Sequence, residues 1–117
     1  MGYLTTHVLD TTSGTPAEGL HVELFHILEG VPKLLTQEFT NSDGRCEKPI
    51  AADEIFVAGT YQLEFHVGDY FKGKGATSED PAFLDIVPVR FGVSLPEEHY
   101  HVPLLVSPYS YSTYRGS

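Results

Sequence analysis

The feature that most constrains the fold is a short alternation of apolar and polar residues that recurs between clusters of turn-forming residues. It is clearest over residues 61–67, where every odd position is apolar and every even position is polar. A period of two residues places alternate side chains on opposite faces of a β-strand. No segment keeps the 3.6-residue period of an amphipathic helix over several turns. The sequence therefore predicts an all-β chain.

The same pattern predicts seven or eight short strands at regular spacing, which is typical of a sandwich or a barrel. The strands are expected at residues 4–9, 21–28, 34–39, 59–67, 83–93, 99–106 and 109–114. A short helix is expected between Asp69 and Lys74. The length of 117 residues fits one domain over residues 1–117 that can bury a core without disulfides.

Two of the predicted strands have the features of sheet edges. Pro88 lies inside the strand expected over residues 83–93, and a proline cannot donate a hydrogen bond to a neighbouring strand. The run from Tyr109 to Tyr114 is rich in tyrosine and carries no charge that would discourage pairing. Edge-to-edge assembly of chains is therefore expected at these two strands.

The composition argues against several classes of protein. The formal net charge of −9 disfavours nucleic acid, which needs clustered lysine and arginine, and an anionic membrane surface. The single cysteine, Cys46, cannot form an internal disulfide. The first residues lack the basic and apolar regions of a signal peptide, and no apolar run approaches the ~20 residues that span a bilayer. A cytoplasmic protein is expected.

Strand parity separates the six histidines into two groups. His7, His99 and His101 lie opposite the apolar residues of their strands and are expected to point away from the core. Imidazole titrates near neutral pH and suits general acid–base catalysis, although a solvated surface histidine is the simpler interpretation of each. The other three, His21, His26 and His66, are expected to have no chemical role. Of these, His66 is expected to be exposed on a polar strand face.

Arg45 follows Asp43-Gly44 at a predicted turn and has two interpretations. It is either an exposed turn charge or a planar fork that binds a carbonyl or oxyanion group. Arg115 has the same two interpretations.

Two further chemistries have weaker support. His99 and His101 have a spacing that would let one strand bind zinc, with His7 as a third ligand, although so short a motif is unspecific. Nucleophilic catalysis by Cys46 would need a neighbouring base, and the sequence near it offers none.

Several motifs occur in a fixed order along nearly the whole chain. They are LTTHVLD at residues 4–10, TNSDGR at 40–45, VRF at 89–91, HYHVPLLVSP at 99–108 and YRGS at 114–117. With these motifs the chain resembles the transthyretin-related proteins, specifically their 5-hydroxyisourate hydrolase branch.

The resemblance implies a fold, an assembly and a reaction. The fold would be a transthyretin-like (prealbumin-like) sandwich of two four-stranded sheets with one short helix. The assembly would be a homotetramer with its active sites at the dimer–dimer interface. The reaction would be the hydrolysis of 5-hydroxyisourate to 2-oxo-4-hydroxy-4-carboxy-5-ureidoimidazoline in urate degradation, a branch of purine catabolism. The resemblance implies no metal and no other cofactor.

The resemblance also implies roles for particular residues. The catalytic residues would be His7, Arg45, His101 and Ser117, and the substrate-binding residues would be Tyr114, Arg115 and Gly116. Either His7 or His101 would take a proton from water, and Arg45 would stabilise the developing negative charge. The sequence does not distinguish which of the two histidines is the base.

Three alternatives to this function remain. A mononuclear zinc hydrolase would use the histidines as metal ligands. A carrier would hold a small apolar ligand in the tetramer channel, and the titratable residues on that face count against it. A structural or adhesive sandwich would have no small-molecule site, which the matching motifs make the least favoured of the three.

Overall fold

The computed structural model describes residues 2–116, which form two β-sheets and one short α-helix. The strands are β1 (Tyr3–Asp10), β2 (Thr15–Pro16), β3 (His21–Leu28), β4 (Val31–Phe39), β5 (Ala51–Ala52), β6 (Gly59–His66), β7 (Ile86–Val93), β8 (His99–Val106) and β9 (Tyr111–Thr113). A 3-10 turn over Asp53–Ile55 follows β5, and the helix α1 (Val67–Gly73) follows β6.

The two sheets form the predicted sandwich. The first has the strand order β2-β1-β8-β9, and the second has the order β4-β3-β6-β7. The first sheet contains five strands rather than four, because the two-residue strand β5 also pairs with β1. β1 and β8 run parallel, whereas the other pairs are antiparallel. The expectation of an all-β sandwich with one short helix is confirmed.

Alternate residues of the longer strands fill the core between the sheets. Four strands contribute most of the side chains with no exposed surface, among them Leu4, Val8, Val22, Leu24, Tyr61, Leu63, Phe65, Leu104 and Val106. Burying each such side chain stabilises the fold by about 1.5–3 kcal/mol relative to leaving it in water. The Tyr61 hydroxyl donates to the carbonyl of Val57 at 2.7 Å, so this ring is buried without leaving its polar atom unpaired.

Both predicted edge strands are edges in the structure. β7, which contains Pro88, ends the second sheet, and β9 ends the first. The other edge of the second sheet is β4, which begins at Val31 and therefore includes Pro32. The sequence placed the start of this strand after the proline, at Leu34. Proline is tolerated in β4 because an edge strand has one side that needs no donor.

Helix α1 begins at Val67, two residues before the expected start at Asp69. Val67, Tyr70 and Phe71 are buried, so the helix is held by its packing against the sandwich. The Tyr70 hydroxyl donates to the buried Asp10 carboxylate at 2.9 Å, which connects the helix to the end of β1. In residues 2–116 there is no helix with the length and apolar character needed to cross a bilayer.

The expectation that His66 is simply exposed is wrong. Its Nε2 atom lies 2.6 Å from Oε1 of Glu23 on the neighbouring strand β3, and both side chains are only 19% exposed. Sequence spacing gave no indication of this contact, because the two residues are 43 positions apart and are brought together by the antiparallel pairing of β3 with β6.

Candidate active site

The parallel pairing of β1 with β8 places the outward-facing residues of the two strands side by side. Tyr3 lies opposite His99, and Thr5 lies opposite His101. His7 follows on the same face of β1, since Leu4, Thr6 and Val8, which alternate with these residues, are buried. The predicted outward orientation of the three histidines at positions 7, 99 and 101 is confirmed.

The hydroxyl of Thr5 connects two of these histidines. Its Oγ1 atom lies 2.7 Å from Nε2 of His99 and 2.7 Å from Nδ1 of His101. A hydroxyl has only one proton to donate, so at least one of the two imidazoles must donate its own N–H to Thr5. Thr5 therefore couples the tautomers of His99 and His101 and holds both rings. The ring of Tyr3 stacks on His99 at 4.2 Å, which further restricts that imidazole.

The segment from Gly44 to Ala52 follows β1 in the antiparallel direction. The Val8 N–H donates to the Gly44 carbonyl at 2.8 Å, and the Ile50 N–H donates to the Leu4 carbonyl at 2.8 Å. Next to Gly44, Arg45 forms a backbone bridge with His7. Arg45 is thereby placed on the edge of the strand that carries Thr5 and His7.

A cavity of about 440 Å³ lies between this segment and the sheet. Tyr3, Thr5, His99 and His101 line it from the sheet, and residues 45–49 line it from the segment. Arg45 and His101 therefore share one cavity, whereas His7 lies next to Arg45 just outside the lining. A cavity of this size is within the ordinary range for a small-molecule site.

The turn before Arg45 fixes its position. The Asn41 N–H donates to the Arg45 carbonyl at 2.8 Å, and the Asn41 side-chain oxygen accepts from the N–H of Asp43 at 2.9 Å. Gly44 has a φ of +74°, and a Cβ at this position would collide with the Val8 carbonyl oxygen. Both the left-handed backbone and the close approach to β1 require glycine here. The Asp-Gly sequence before Arg45 is therefore what brings the guanidinium to the cavity.

The electrostatics of the site favour neutral imidazoles. Burial lowers the pKa of His101, and the positive charge of Arg45 adds to this effect, with further contributions from His99 and His7. Burial and Arg45 also lower the pKa of His7, while a hydrogen bond to the backbone of Asp43 and the charge of Asp43 act in the opposite direction. Both histidines are therefore unprotonated at neutral pH, the form that accepts a proton.

Cys46 lines the cavity, but its environment does not favour nucleophilic chemistry. Burial raises the pKa of the Cys46 thiol to about 11, and the charge of Glu38 adds to the shift. At neutral pH the sulfur is thus protonated, and the thiol is a much weaker nucleophile than the thiolate.

Gly116 lies directly against His101. Its N–H donates to the His101 carbonyl at 2.7 Å, and a Cβ at position 116 would lie 2.7 Å from Cδ2 of the imidazole ring. Glycine is required here because any side chain would displace the ring. β8, which carries His101, lies between β1 and β9 in the sheet. Thr5 of β1 therefore contacts His101 from one side, and Gly116, which follows β9, packs against it from the other.

Tyr114 and Arg115 do not line this cavity within one chain. Tyr114 and Arg115 line a second cavity of about 310 Å³, together with Arg90 of β7. Arg115 lies 4.0 Å above the ring of Tyr100 and pairs with Glu98 at 3.1 Å. Ser117 lies outside the described residues. The predicted roles of Tyr114, Arg115 and Ser117 in the site stay predictions.

The geometry does not favour a zinc site at the predicted histidines. A metal site needs ligand atoms that lie close together. In the described residues, the ring nitrogens of His7, His99 and His101 do not all lie within 4.8 Å of one another. His99 and His101 have ring centroids 6.1 Å apart, and Thr5 occupies a nitrogen of each. These imidazoles are arranged to hydrogen-bond through Thr5 rather than to converge on one ion.

A model of the HIUase/Transthyretin family matches residues 4–116 of the chain. The chain belongs to this family. A relative named 5-hydroxyisourate hydrolase, from Ralstonia nicotianae, is 56% identical over 117 residues, which is all of this chain and all of that protein.

Several solved structures have nearly the same fold as this chain. (S)-Allantoin synthase has a TM-score of 0.92 and 46% identity over 99% of this chain, which spans only 44% of that protein. The 5-hydroxyisourate hydrolase of Klebsiella pneumoniae has a TM-score of 0.83 and 37% identity, with both chains fully covered. Sea bream transthyretin in complex with thyroxine has a TM-score of 0.86 and 28% identity, covering 97% of this chain and 93% of that one.

Thr5 is the residue in this HIUase/Transthyretin chain that sequence reasoning missed. A signal for it was present, because Thr5 lies two positions before His7 and on the same outward face of β1. Its importance depends on the register with β8, which places it opposite a residue 96 positions later in the chain. A threonine on a strand also has an ordinary explanation in its high strand propensity, so the residue type alone does not indicate a site.

Proposed function

We propose that this chain hydrolyses 5-hydroxyisourate in urate degradation, using a water activated by histidine and a transition state stabilised by arginine. The observation that carries the proposal is the pair of imidazoles joined by Thr5 beside Arg45 in one cavity. The full-length relative named 5-hydroxyisourate hydrolase, at 56% identity, supports the choice of substrate. The reaction class is hydrolysis of a cyclic amide.

The chemistry adds one water across a ring amide bond. The water oxygen bonds to the carbonyl carbon, the ring C–N bond breaks, and the nitrogen takes up a proton. The product, 2-oxo-4-hydroxy-4-carboxy-5-ureidoimidazoline, carries the new carboxylate. The site must supply a base for the water, a donor for the developing oxyanion and a proton for the departing nitrogen.

His101 is the favoured base. It lines the cavity, its lowered pKa keeps the imidazole neutral, and Thr5 holds its Nδ1 atom. For Nε2 to accept a proton from water, Nδ1 must carry the hydrogen and donate it to Thr5. The Thr5 hydroxyl can then donate its own proton to Nε2 of His99, so that one chain of hydrogen bonds runs from His99 to the base.

Arg45 and His7 have complementary roles in the proposal. The guanidinium of Arg45 would bind the carbonyl oxygen that becomes negative, since its planar donors match an oxyanion. His7 lies beside Arg45 and would orient the substrate or return the proton to the leaving nitrogen. Ser117, through its hydroxyl, would position the water or a histidine.

The proposal includes assembly into a homotetramer whose active sites lie at the dimer–dimer interface. Strands β7 and β9 are terminal in their sheets, which fits pairing between subunits. Tyr109, Tyr111 and Tyr114 are all exposed in the single chain, as expected of a surface that a second subunit covers. A neighbouring subunit would then complete a cavity that is open in one chain, and Tyr114, Arg115 and Gly116 would bind substrate there. We further propose that the enzyme works in the cytoplasm.

The test is the decay of 5-hydroxyisourate, formed in place by urate oxidase and followed by ultraviolet absorbance. The protein is expected to accelerate the decay, and a chelator is expected to leave the acceleration unchanged. Loss of activity on chelation, with about one metal ion found per site, would instead support a zinc hydrolase. Unchanged decay together with binding of an apolar ligand would overturn the proposal in favour of a carrier; sea bream transthyretin, which shares the fold, is an example of a chain seen in complex with thyroxine.

A further inference from the structure

Three side chains with metal-binding atoms converge on the second sheet, away from the cavity. They are His21 and Glu23 on β3 and His66 at the end of β6. One ligand atom from each lies within 4.8 Å of the other two, and the closest pair is Nε2 of His66 with Oε1 of Glu23 at 2.6 Å. The two imidazole rings lie 4.4 Å apart between centroids.

This cluster is on the outer face of the sheet. His21 and Glu23 alternate with Val22 and Leu24, which are completely buried in the core, so the cluster residues point to the opposite side. The candidate active site belongs to the other sheet, and none of the three cluster residues lines its cavity. The two sites are therefore separated by the core of the sandwich.

The cluster is held by its neighbours before any ligand binds. The Nε2 atom of His21 lies 2.8 Å from the side-chain oxygen of Gln37, and the His21 ring stacks on Phe39 at 4.7 Å. Glu23 and His66 are each only 19% exposed, and both lie on paired strands. Ligands on paired strands move little, so binding costs little ordering entropy.

We propose that His21, Glu23 and His66 form a binding site for one late first-row divalent cation, with Zn²⁺ as the ion that fits it best. Each side chain would supply one ligand atom, and water would complete a tetrahedral shell. Two imidazoles and one carboxylate suit Zn²⁺, whereas Mg²⁺ and Ca²⁺ prefer sites made of oxygen atoms alone.

The structure needs only side-chain adjustments to bind the ion. With Zn–N and Zn–O distances of about 2.0–2.2 Å, adjacent ligand atoms of a tetrahedron lie about 3.3–3.6 Å apart. The contact between His66 and Glu23 must open from 2.6 Å, and the widest ligand separation must close from within 4.8 Å. The cation would replace the hydrogen bond between His66 and Glu23, with the imidazole hydrogen of His66 on Nδ1 so that Nε2 is free to bind. His21 would exchange Gln37 for the metal or bind through its other nitrogen.

The experiment is calorimetric titration of the purified protein with Zn²⁺ alone. The wild type is expected to bind one equivalent of Zn²⁺ at this cluster. His66→Asn and Glu23→Gln are each expected to weaken that binding at least about tenfold. Even the loss of a residue that only hydrogen-bonds to a metal ligand commonly lowers metal affinity by about 10-fold to 100-fold. Glu64→Gln is the matched control. Glu64 lies directly opposite Glu23 on β6 and is not part of the cluster. Its substitution therefore removes the same charge from the same face of the sheet without removing a ligand.

A second variant separates this site from the candidate active site. His101→Asn is expected to lose hydrolysis and to keep the Zn²⁺ equivalent, and Zn²⁺ is expected to raise its melting temperature as it does that of the wild type. The proposal is overturned if Glu23→Gln and His66→Asn bind Zn²⁺ as tightly as Glu64→Gln does, since the cluster is then a hydrogen-bonded His–Glu pair only. It is also overturned if His101→Asn abolishes the bound equivalent. Neither result depends on whether the chain hydrolyses 5-hydroxyisourate.

Discussion

The side-chain oxygen of Thr5 lies 2.7 Å from Nδ1 of His101, and this contact orients the imidazole that we propose as the base. Replacement of Thr5 by valine keeps the shape of the side chain and removes the hydroxyl. The Thr5→Val variant is expected to lose about 10-fold to 100-fold in kcat, because the His101 tautomer is no longer fixed and the catalytic contribution of a base is itself about 10²-fold to 10⁴-fold.

Thr5→Ser is the control, since it retains the hydroxyl and is expected to retain most of the activity. The pH profile of kcat distinguishes a positioning role from a structural one. Loss of the hydroxyl is expected to change the acid limb as well as the maximum rate, because the hydrogen bond to His101 affects its protonation. If Thr5→Val had the same kcat and pH profile as Thr5→Ser, Thr5 would not position the base.

His101→Asn tests the base directly. The variant is expected to fold and to lose about 10²-fold to 10⁴-fold in kcat, since asparagine has a similar size but cannot accept a proton at neutral pH. The measurement is the initial rate of 5-hydroxyisourate decay, with circular dichroism and the molecular mass in solution as checks on folding and assembly. Wild-type turnover in a folded His101→Asn variant would transfer the role of base to His7.

Arg45 is expected to control the pH dependence as well as the rate. The histidines act as bases only when unprotonated. Burial, and after it the charge of Arg45, lowers the pKa of both His7 and His101, so activity persists to a lower pH than the ordinary histidine value of 6.5 would allow. Arg45→Gln removes the positive charge and lets both pKa values rise. The acid limb of kcat/KM is therefore expected to move to higher pH, with a greater relative loss of activity at about pH 6 than at about pH 8.

Arg45→Lys is the matched variant, because it keeps the charge but loses the planar fork. We expect it to lose activity, with a loss of the order of 10²-fold, and to keep the acid limb close to that of the wild type. An acid limb in the same place for Arg45→Gln and Arg45→Lys would show that the charge at position 45 does not act on the base.

The fold was largely predictable because the buried residues repeat with a period of two. In β1 and β6, alternate residues such as Leu4, Val8 and Leu63 are completely buried, as the sequence pattern indicated. β4 was harder to place, because it is an edge strand with mostly exposed residues and its register with β3 shifts between Leu24 and Phe25. An edge strand without a buried face has no clear hydrophobic pattern from which its start can be predicted.

The site was predictable in part. Parity correctly predicted that His7 and His101 each point outward from their own strand, and the turn chemistry of Asp43-Gly44 correctly indicated that Arg45 follows a tight turn. The contacts of Thr5 could not be predicted, because they depend on the register of two parallel strands more than 90 residues apart. The pairing of His66 with Glu23 has the same kind of origin, since strand register is determined by the whole sheet.

Gly116 is expected to be sensitive to substitution because of its contact with His101. In Gly116→Ala, the new Cβ would lie 2.7 Å from the imidazole Cδ2, so the ring must move away. A displacement of about 1 Å at a catalytic group can cost about 10²-fold in rate. We therefore expect a large fall in kcat, measured beside Gly73→Ala as a control, since an added Cβ at Gly73 meets no atom within 4 Å. Equal rates in the two variants would contradict the close packing of Gly116 on His101.

Gly44 and Gly30 allow the turn before Arg45 to be tested against a matched position. Both have a left-handed backbone, with φ of +74° and +79°, but a Cβ at Gly30 meets nothing within 4 Å, whereas one at Gly44 would collide with the Val8 carbonyl oxygen. Gly30→Ala is therefore expected to lower the free energy of unfolding by about 1–2 kcal/mol, the ordinary cost of this conformation for an L-residue.

Gly44→Ala is expected to cost more than Gly30→Ala, because the collision must be relieved by separating the turn from β1. That movement would also carry Arg45 away from His7, so hydrolysis is expected to fall in Gly44→Ala and to be retained in Gly30→Ala. Urea unfolding at one fixed protein concentration gives the two free energies, and the decay assay gives the two rates. If the two variants were equally stable and equally active, the contact between Gly44 and β1 would not be what positions the guanidinium.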